Sequence, residues 1–223
     1  MSTPSTERTK VRRHPERGEY DRAAIDAILD AGLYCHVGFV DRGQPFVIPT
    51  IHARVGDLVY LHGSAASRML GTLGGGIAAC LTVTLLDGLV LARAVFSHSM
   101  NYRSVVVLGT ATEVVDPAEK LAALEAIVEH VVPGRWADAR LPSENDMRAT
   151  RVLRMPLDEA SAKIRSGPPK DAADDLGLGI WAGVIPLTLV PGVPVPDPAL
   201  PAGIPVPGYA ARYRVEGRRR WES

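Results

Sequence analysis

This chain of 223 residues lacks the familiar catalytic signatures. It has no G-x-S-x-G, no H-E-x-x-H, and no G-x-G-x-x-G after a strand-like run. The usual arguments for a nucleophile-elbow hydrolase, a zinc peptidase or a dinucleotide-binding βαβ unit are therefore missing. Cysteine is almost absent: Cys35 and Cys80 each sit inside an apolar run, with no C-x-x-C and no histidine cluster beside them. That pattern predicts two buried thiols in a reducing compartment and no metal site. Aromatic residues make up only 5% of the chain, too few to interleave a basic nucleic-acid module. Charge of one sign is lacking as well, since 25 basic residues face 25 acidic ones. No apolar run reaches membrane-spanning length, and the N-terminus is polar without an apolar signal core. A cytoplasmic protein bound to neither nucleic acid nor membrane is the expectation.

What is present suits a β-rich core, because 46% of the residues are hydrophobic. Residues 1–19 read as a polar N-terminal arm, 20–166 as the folded domain, and 167–223 as a Pro-rich extension lying on the body or on a neighbouring subunit. Asp21 can cap a helix with Ile25, Ile28 and Leu29 on one face, ended by Gly32. Six strands are expected over Leu33–Val40, Phe46–Arg54, Leu58–His62, Ile77–Leu86, Leu89–Phe96 and Tyr102–Val115. Asp41-Arg42-Gly43-Gln44 and Asp87-Gly88 read as hairpin turns, and Gly109 as a bulge. Asp116-Pro117-Ala118-Glu119 carries an N-cap, a proline at N1 and a capping-box glutamate. Val152–Met155 is strand-like, with a short helix expected to follow within 151–162. Hairpin-joined strands with one short helix between them fit a closed antiparallel barrel better than a βαβ fold.

Two polar clusters interrupt this pattern. Tyr60-Leu61-His62-Gly63-Ser64-Ala65-Ala66-Ser67-Arg68 runs from a strand through a turn into a helix start that carries an arginine. Unpaired N–H groups, hydroxyls and a guanidinium would there favour an anion, most often a phosphate. The competing reading is an ordinary β-to-α connection with solvated side chains. The second cluster, Ser97-His98-Ser99-Met100-Asn101-Tyr102-Arg103-Ser104, enters a buried strand and is costly unless something outside the sheet satisfies it. Ahead of both lies Pro49, inside a strand-like run although proline cannot donate to a ladder. His52 shares strand parity with Ile48 and Thr50, so all three are expected on one face. The six histidines are His14, His36, His52, His62, His98 and His130. Each is ordinarily a structural hydrogen-bonder, and His62 stands apart because it borders the anion turn. A phosphorylated planar ligand such as FMN has the shape these clusters suggest.

With both clusters in view the chain resembles the pyridoxamine-5′-phosphate-oxidase-like split-barrel flavoproteins. It looks closest to the flavin-nucleotide-binding branch, which includes the nitroimidazole-resistance reductases. The likeness rests on Cys35-His36-Val37-Gly38, Pro45-Phe46-Val47-Ile48-Pro49-Thr50, Tyr60 to Ser64, Ser67-Arg68-Met69-Leu70, and Asn101 to Gly109. Ser161 to Pro169 and Trp181 to Leu187 look like that branch's C-terminal extension. The resemblance implies a mainly β, six-stranded antiparallel split barrel that forms a homodimer with FMN at the interface. It places Ser67 and Arg68 on the phosphate, with His62, Gly63 and Ser64 lining the approach. Pro49 and Thr50 would lie along the isoalloxazine, and Tyr102, Arg103 and Ser104 on the cofactor-contributing strand. His62 matches a histidine that the nitroimidazole-resistance relatives link to redox chemistry. The pyridoxal-phosphate motif of the true oxidase is absent, since Arg212 to Arg220 and Trp221 do not reproduce it. The implied activity is an FMN-dependent oxidoreductase reducing a nitroaromatic, a quinone or free flavin with NAD(P)H. A flavin-storage protein, or a split barrel using the deazaflavin F420 or haem, are the alternatives.

Overall fold

The computed structural model describes residues 6–215. In chain order the elements are β1 (Gly18–Glu19), α1 (Arg22–Ala31), β2 (Cys35–Asp41), β3 (Gln44–Thr50), β4 (His52–Val55) and β5 (Leu58–Ser64). Then come α2 (Arg68–Gly74), β6 (Ala78–Leu91), β7 (Ser99–Thr110), β8 (Thr112–Glu113), α3 (Pro117–Val131) and α4 (Glu144–Ala149). β9 (Thr150–Pro156), β10 (Glu159–Arg165), β11 (Gly183–Pro186) and α5 (Gly208–Ala211) complete the chain. One antiparallel sheet runs β1-β10-β7-β6-β2-β3, with β11 added to β6, and a second runs β4-β5-β9-β8.

Alternation along the strands builds the core. Val37 and Phe39 of β2, Leu81 and Val83 of β6 and Val105 and Val107 of β7 point inward. They meet Val59, Leu61, Leu153 and Met155 of the smaller sheet, with Ile25 and Leu29 of α1 and Leu70 and Leu73 of α2 packed among them. The opposite face of the smaller sheet buries Ala53, Tyr60 and Val152 against Ala123 and Ile127 of α3. α3 starts as its sequence dictates: Asp116 accepts from Glu119 N at 2.8 Å, and Pro117 follows. Glu119 does not close a capping box; its carboxylate accepts instead from Arg154 at 2.7 Å and Tyr60 at 3.0 Å.

The expected mainly β, antiparallel architecture with flanking helices stands. Several details change, because the strands divide between two sheets and do not follow the six expected spans. Phe46–Arg54 is not one strand, because the chain leaves the large sheet at Thr50 and enters the small one at His52. His52 is consequently buried, whereas Ile48 remains 36% exposed on the outer edge. Asp87-Gly88 makes no hairpin: β6 runs through it, and the register on β7 shifts between Leu86 and Gly88. The bulge is therefore here and not at Gly109, which pairs in register with Ala79. A Cβ on Gly88 would lie 3.0 Å from Ile185 O of β11, so close approach of that strand requires glycine. The helix expected after Met155 is instead β10, paired along its length with β7. The turn at Arg42 and Gly43 holds, with both residues at positive φ, 50° and 81°.

The Pro-rich stretch has no helix or strand over 187–207 and returns to the body through Tyr209 and Tyr213. Their hydroxyls donate to Asp138 and to Val131 O, each at 2.7 Å. Arg218, Arg219, Arg220 and Trp221 lie outside the described residues. Among the described residues no helix is long and apolar enough to cross a membrane.

Candidate functional site

α2 is brought against the exposed edge strand β3. Ser67 is the N-cap of α2, its hydroxyl accepting from Leu70 N at 3.5 Å. The exposed Arg68 guanidinium lies over the Phe46 ring, 5.3 Å from its centroid. Arg68 makes no hydrogen bond or ion pair among the described residues, so its charge faces outward unpaired. Pro49 and Thr50 lie further along β3, opposite His36 and Cys35 of β2. The anion turn itself is more self-satisfied than expected. Ala65 N donates to Ala149 O, Ala66 N to the Ser64 hydroxyl, and Ser67 N to Ser64 O, at 2.8, 3.2 and 2.9 Å. The cation, more than the amides, is what this turn offers.

Other expected residues are placed elsewhere. Gly63 faces α2, where an added Cβ would be 3.0 Å from Leu70. His62 alternates to the opposite side, in a cavity with Leu124, Ile127 and Trp136 beside α3. Its Nδ1 is buried without a partner, and burial lowers the imidazole pKa. The structure does not bring it together with Pro49 and Thr50. Tyr102, Arg103 and Ser104 sit in β7, flanked on both sides by β6 and β10. Arg103 donates to both Asp87 carboxylate oxygens, at 2.9 and 2.8 Å, and Ser104 Oγ to Lys163 O at 3.3 Å. The polar entry to β7 is thus satisfied from within the sheet, by the bulged Asp87.

A second region was not foreseen as a unit. The segment 13–17, the turn 96–99 and the end of β10 enclose a cavity of about 610 Å³. Arg13, Arg17, Lys163, Arg165 and Lys170 supply five cations to it, and His14 and His98 two imidazoles. Arg165 is only 7% exposed and donates to Asn101 Oδ1 and to the carbonyls of Gly167 and Pro168, all neutral. Burial and the nearby Arg17 push its pKa below the ordinary guanidinium value. Arg13 and Arg17 belong to the stretch that reads as a polar N-terminal arm, and the pairing of β1 with β10 folds that arm back beside Lys163 and Arg165.

The two cysteines are unreactive thiols. Burial pushes the Cys35 thiol up to about 12 and raises Cys80, and both are free thiols. Among the described residues no group of three or more His, Cys, Asp and Glu is placed to hold a metal ion.

A family model for pyridoxamine 5′-phosphate oxidase matches residues 21–164. The flavocytochrome Anf3 from Azotobacter vinelandii is 40% identical, with a TM-score of 0.89 over 95% of this chain and 99% of that one. An FAD and haem binding protein from Mycobacterium smegmatis is 36% identical, with a TM-score of 0.83 over 86% of this chain and 95% of its own. A protein from Bacteroides thetaiotaomicron, described as a candidate for 5-nitroimidazole antibiotic resistance, is 27% identical, with a TM-score of 0.56 over 66% and 86%. No curated protein matches the chain at a significant level.

Proposed function

We propose, from the premise that this chain belongs to the pyridoxamine 5′-phosphate oxidase family, that it is a flavin- and haem-binding redox protein. The observation that carries the flavin is Arg68, an exposed guanidinium with no internal anion, held over Phe46 beside Ser67 and the edge strand of Pro49 and Thr50. A phosphate fits that donor set: a fixed cation and a hydroxyl on a short helix start, next to a strand edge with free backbone groups. FMN satisfies it, and so does FAD; the likeness to the FAD and haem binding relative favours FAD. Haem joins the proposal because the two near-full-length relatives, at 40% and 36% identity, are a flavocytochrome and an FAD and haem binding protein.

When bound, a flavin supplies hydride and single-electron transfer and a haem supplies one-electron transfer. The chain's part is to bind, orient and shield. Arg68 and Ser67 anchor the flavin phosphate, and Phe46 holds Arg68 in place. The apolar edge of β3, where Val47 is 68% exposed, is the surface on which a second protomer closes over the flavin. The activity proposed is reduction of a small electrophile, such as a quinone, a nitroaromatic or free flavin, with a nicotinamide donor. His62, turned toward α3, is given no part in it.

Native protein purified from cells supplied with iron and a haem precursor tests the reading. The expected result is a flavin identified by mass after denaturation, together with a haem band in the absorbance spectrum. Protein that carries no flavin, and takes none up from FMN or FAD in titration, overturns it.

A further inference from the structure

We infer that the cavity between segment 13–17 and the turn 96–99 receives the phosphates of the nicotinamide donor, and that its five cations select a donor carrying a ribose 2′-phosphate. The inference rests on the nicotinamide donor of the reading above and adds a place and a selectivity to it.

Charge is the first argument. No acidic side chain lines the cavity, although the chain as a whole carries as many acidic as basic residues. Arg13 and Lys170 have no side-chain partner among the described residues. Lys163 donates to Arg13 O at 3.0 Å, and Arg165 to Asn101 Oδ1 and to the carbonyls of Gly167 and Pro168, all neutral acceptors. Arg17 reaches Glu16 at 3.8 Å. Cations that share one cavity with so little negative charge repel one another unless an anion joins them.

Their number bears on which anion. The diphosphate of a nicotinamide dinucleotide brings about two negative charges, and a phosphate on the adenosine ribose brings nearly two more. Without that 2′-phosphate most of the cations would stay unneutralised. Guanidinium groups suit it further, because their paired N–H donors match a phosphate's oxygens.

Phe96 is the one apolar residue of the lining, and its ring is fully exposed. An aromatic face beside clustered cations is a platform on which a base stacks while its phosphates meet the charges. The turn that presents Phe96 is fixed in advance. The main-chain N–H groups of Arg93 and Ala94 both donate to Oδ1 of the buried Asp171, at 2.7 and 3.4 Å. His98 Nδ1 braces the same turn, 3.1 Å from Ala94 O and 3.4 Å from Ala92 N. The facing wall is held by the pairing of β1 with β10.

The flavin phosphate does not account for the cavity. Arg68 lies against β3, whereas the cavity lies against β1 and β10 at the opposite edge of the large sheet. From β10 through β7, β6 and β2 to β3 there are four strand spacings, a path of about 19 Å along the sheet. Two adjacent phosphates of one flavin cannot meet both places. A second ligand, with its reactive ring and its phosphorylated ribose at opposite ends, can bridge that span to the flavin.

The test titrates the full-length, flavin-loaded protein with NADP+ and NAD+ by calorimetry; the oxidised forms bind without turnover. Wild-type protein should bind NADP+ at least about tenfold more tightly than NAD+. Arg13→Glu/Lys170→Glu should abolish the preference, and the milder Arg13→Gln/Lys170→Gln should reduce it, with flavin content and thermal unfolding unchanged in both. Phe96→Ala should weaken the two dinucleotides alike, by about fivefold or more. Equal affinities in the wild type, or a preference that survives the charge reversal, overturn the inference. Loss of FAD affinity with FMN affinity retained in the charge reversal assigns the cavity to the flavin's own diphosphate and overturns it too. Protein that binds NADP+ through these cations but takes up no flavin keeps the site and overturns the flavin reading instead.

Discussion

Two pairs of histidines show how one side chain serves different purposes in this fold. His52 and His130 are packed together, with ring centroids 5.1 Å apart, and turn Nε2 inward. Their Nε2 atoms meet Leu29 O and Gly32 O, at 3.0 and 2.7 Å, at the end of α1. A helix leaves its last carbonyls without internal partners, and these two imidazoles, from β4 and α3, satisfy two of them. His14 and His98 sit at the surface instead, and their Nδ1 atoms meet partners within their own turns: Glu16 Oε1 at 3.1 Å, and Ala94 O at 3.1 Å with Ala92 N at 3.4 Å. The difference is reach. The inner pair ties β4 and α3 to the end of α1, and the outer pair braces only its own turns.

The largest effect should come from breaking the inner pair. His52→Ala removes the side-chain partner of Leu29 O, leaving only the longer bond from Gly32 N, and opens a void in a fully buried site, so unfolding in urea should show a loss of about 3 kcal/mol. The corresponding His98→Ala should change stability by less than about 0.5 kcal/mol. Equal losses would erase the contrast.

Acid probes the same pair without mutation. Burial, then the nearby His130, lowers the His52 pKa from 6.5 to about 4. The unfolded chain therefore takes up the proton first as pH falls. Stability contributed by neutral His52 is complete above about pH 6.5, declines below it, and is spent near pH 4. The loss should approach about 3 kcal/mol by linkage, and His52→Phe should flatten the slope between those values. A slope unchanged in His52→Phe would assign it to another group.

The contrast extends to arginines. Arg103 is locked to Asp87, whereas Arg68 is unpaired. Arg103→Ala should destabilise by about 2–3 kcal/mol, because it strands a carboxylate in a half-buried bulge. Arg68→Ala should leave unfolding unchanged and weaken flavin binding by about 2 kcal/mol, or roughly thirtyfold in Kd. Retention of flavin at wild-type affinity removes Arg68 from the phosphate. The most local effect is expected of Asp171→Ala, which should speed amide exchange in the turn that carries His98 before it changes anything at α1.

Local chemistry made part of this legible in the sequence. Asp116-Pro117 started α3 and Arg42-Gly43 made its turn because each needs only neighbouring residues. Asp87-Gly88 carries the same signal as a hairpin, yet its fate is decided by Arg103 across the ladder and by Leu187 N, which donates to Asp87 O at 3.1 Å. Propensity cannot see either partner. The switch of sheets at Ile51 was hidden likewise, since residues 46–54 carry no Gly or Asn turn signal and the run does not say which sheet each half joins. Ser67 and Arg68 were readable as a polar turn opening a helix, but not their placement beside Phe46 of β3. The cavity of His14 and His98 was not readable, because it joins an N-terminal arm to a hairpin far along the chain through pairing on β10.

The bulge at Asp87 has one more consequence. Inward positions along β6 are Ala79, Leu81, Val83 and Leu85 before it, and Gly88 and Val90 after it. The strand's phase is reset at that residue, so its two halves are independent tenants of one backbone. The first half answers only to the barrel interior. The second answers to β11 and the extension beyond it, which can be lengthened, re-sequenced or lost without forcing a change in what the barrel half encloses.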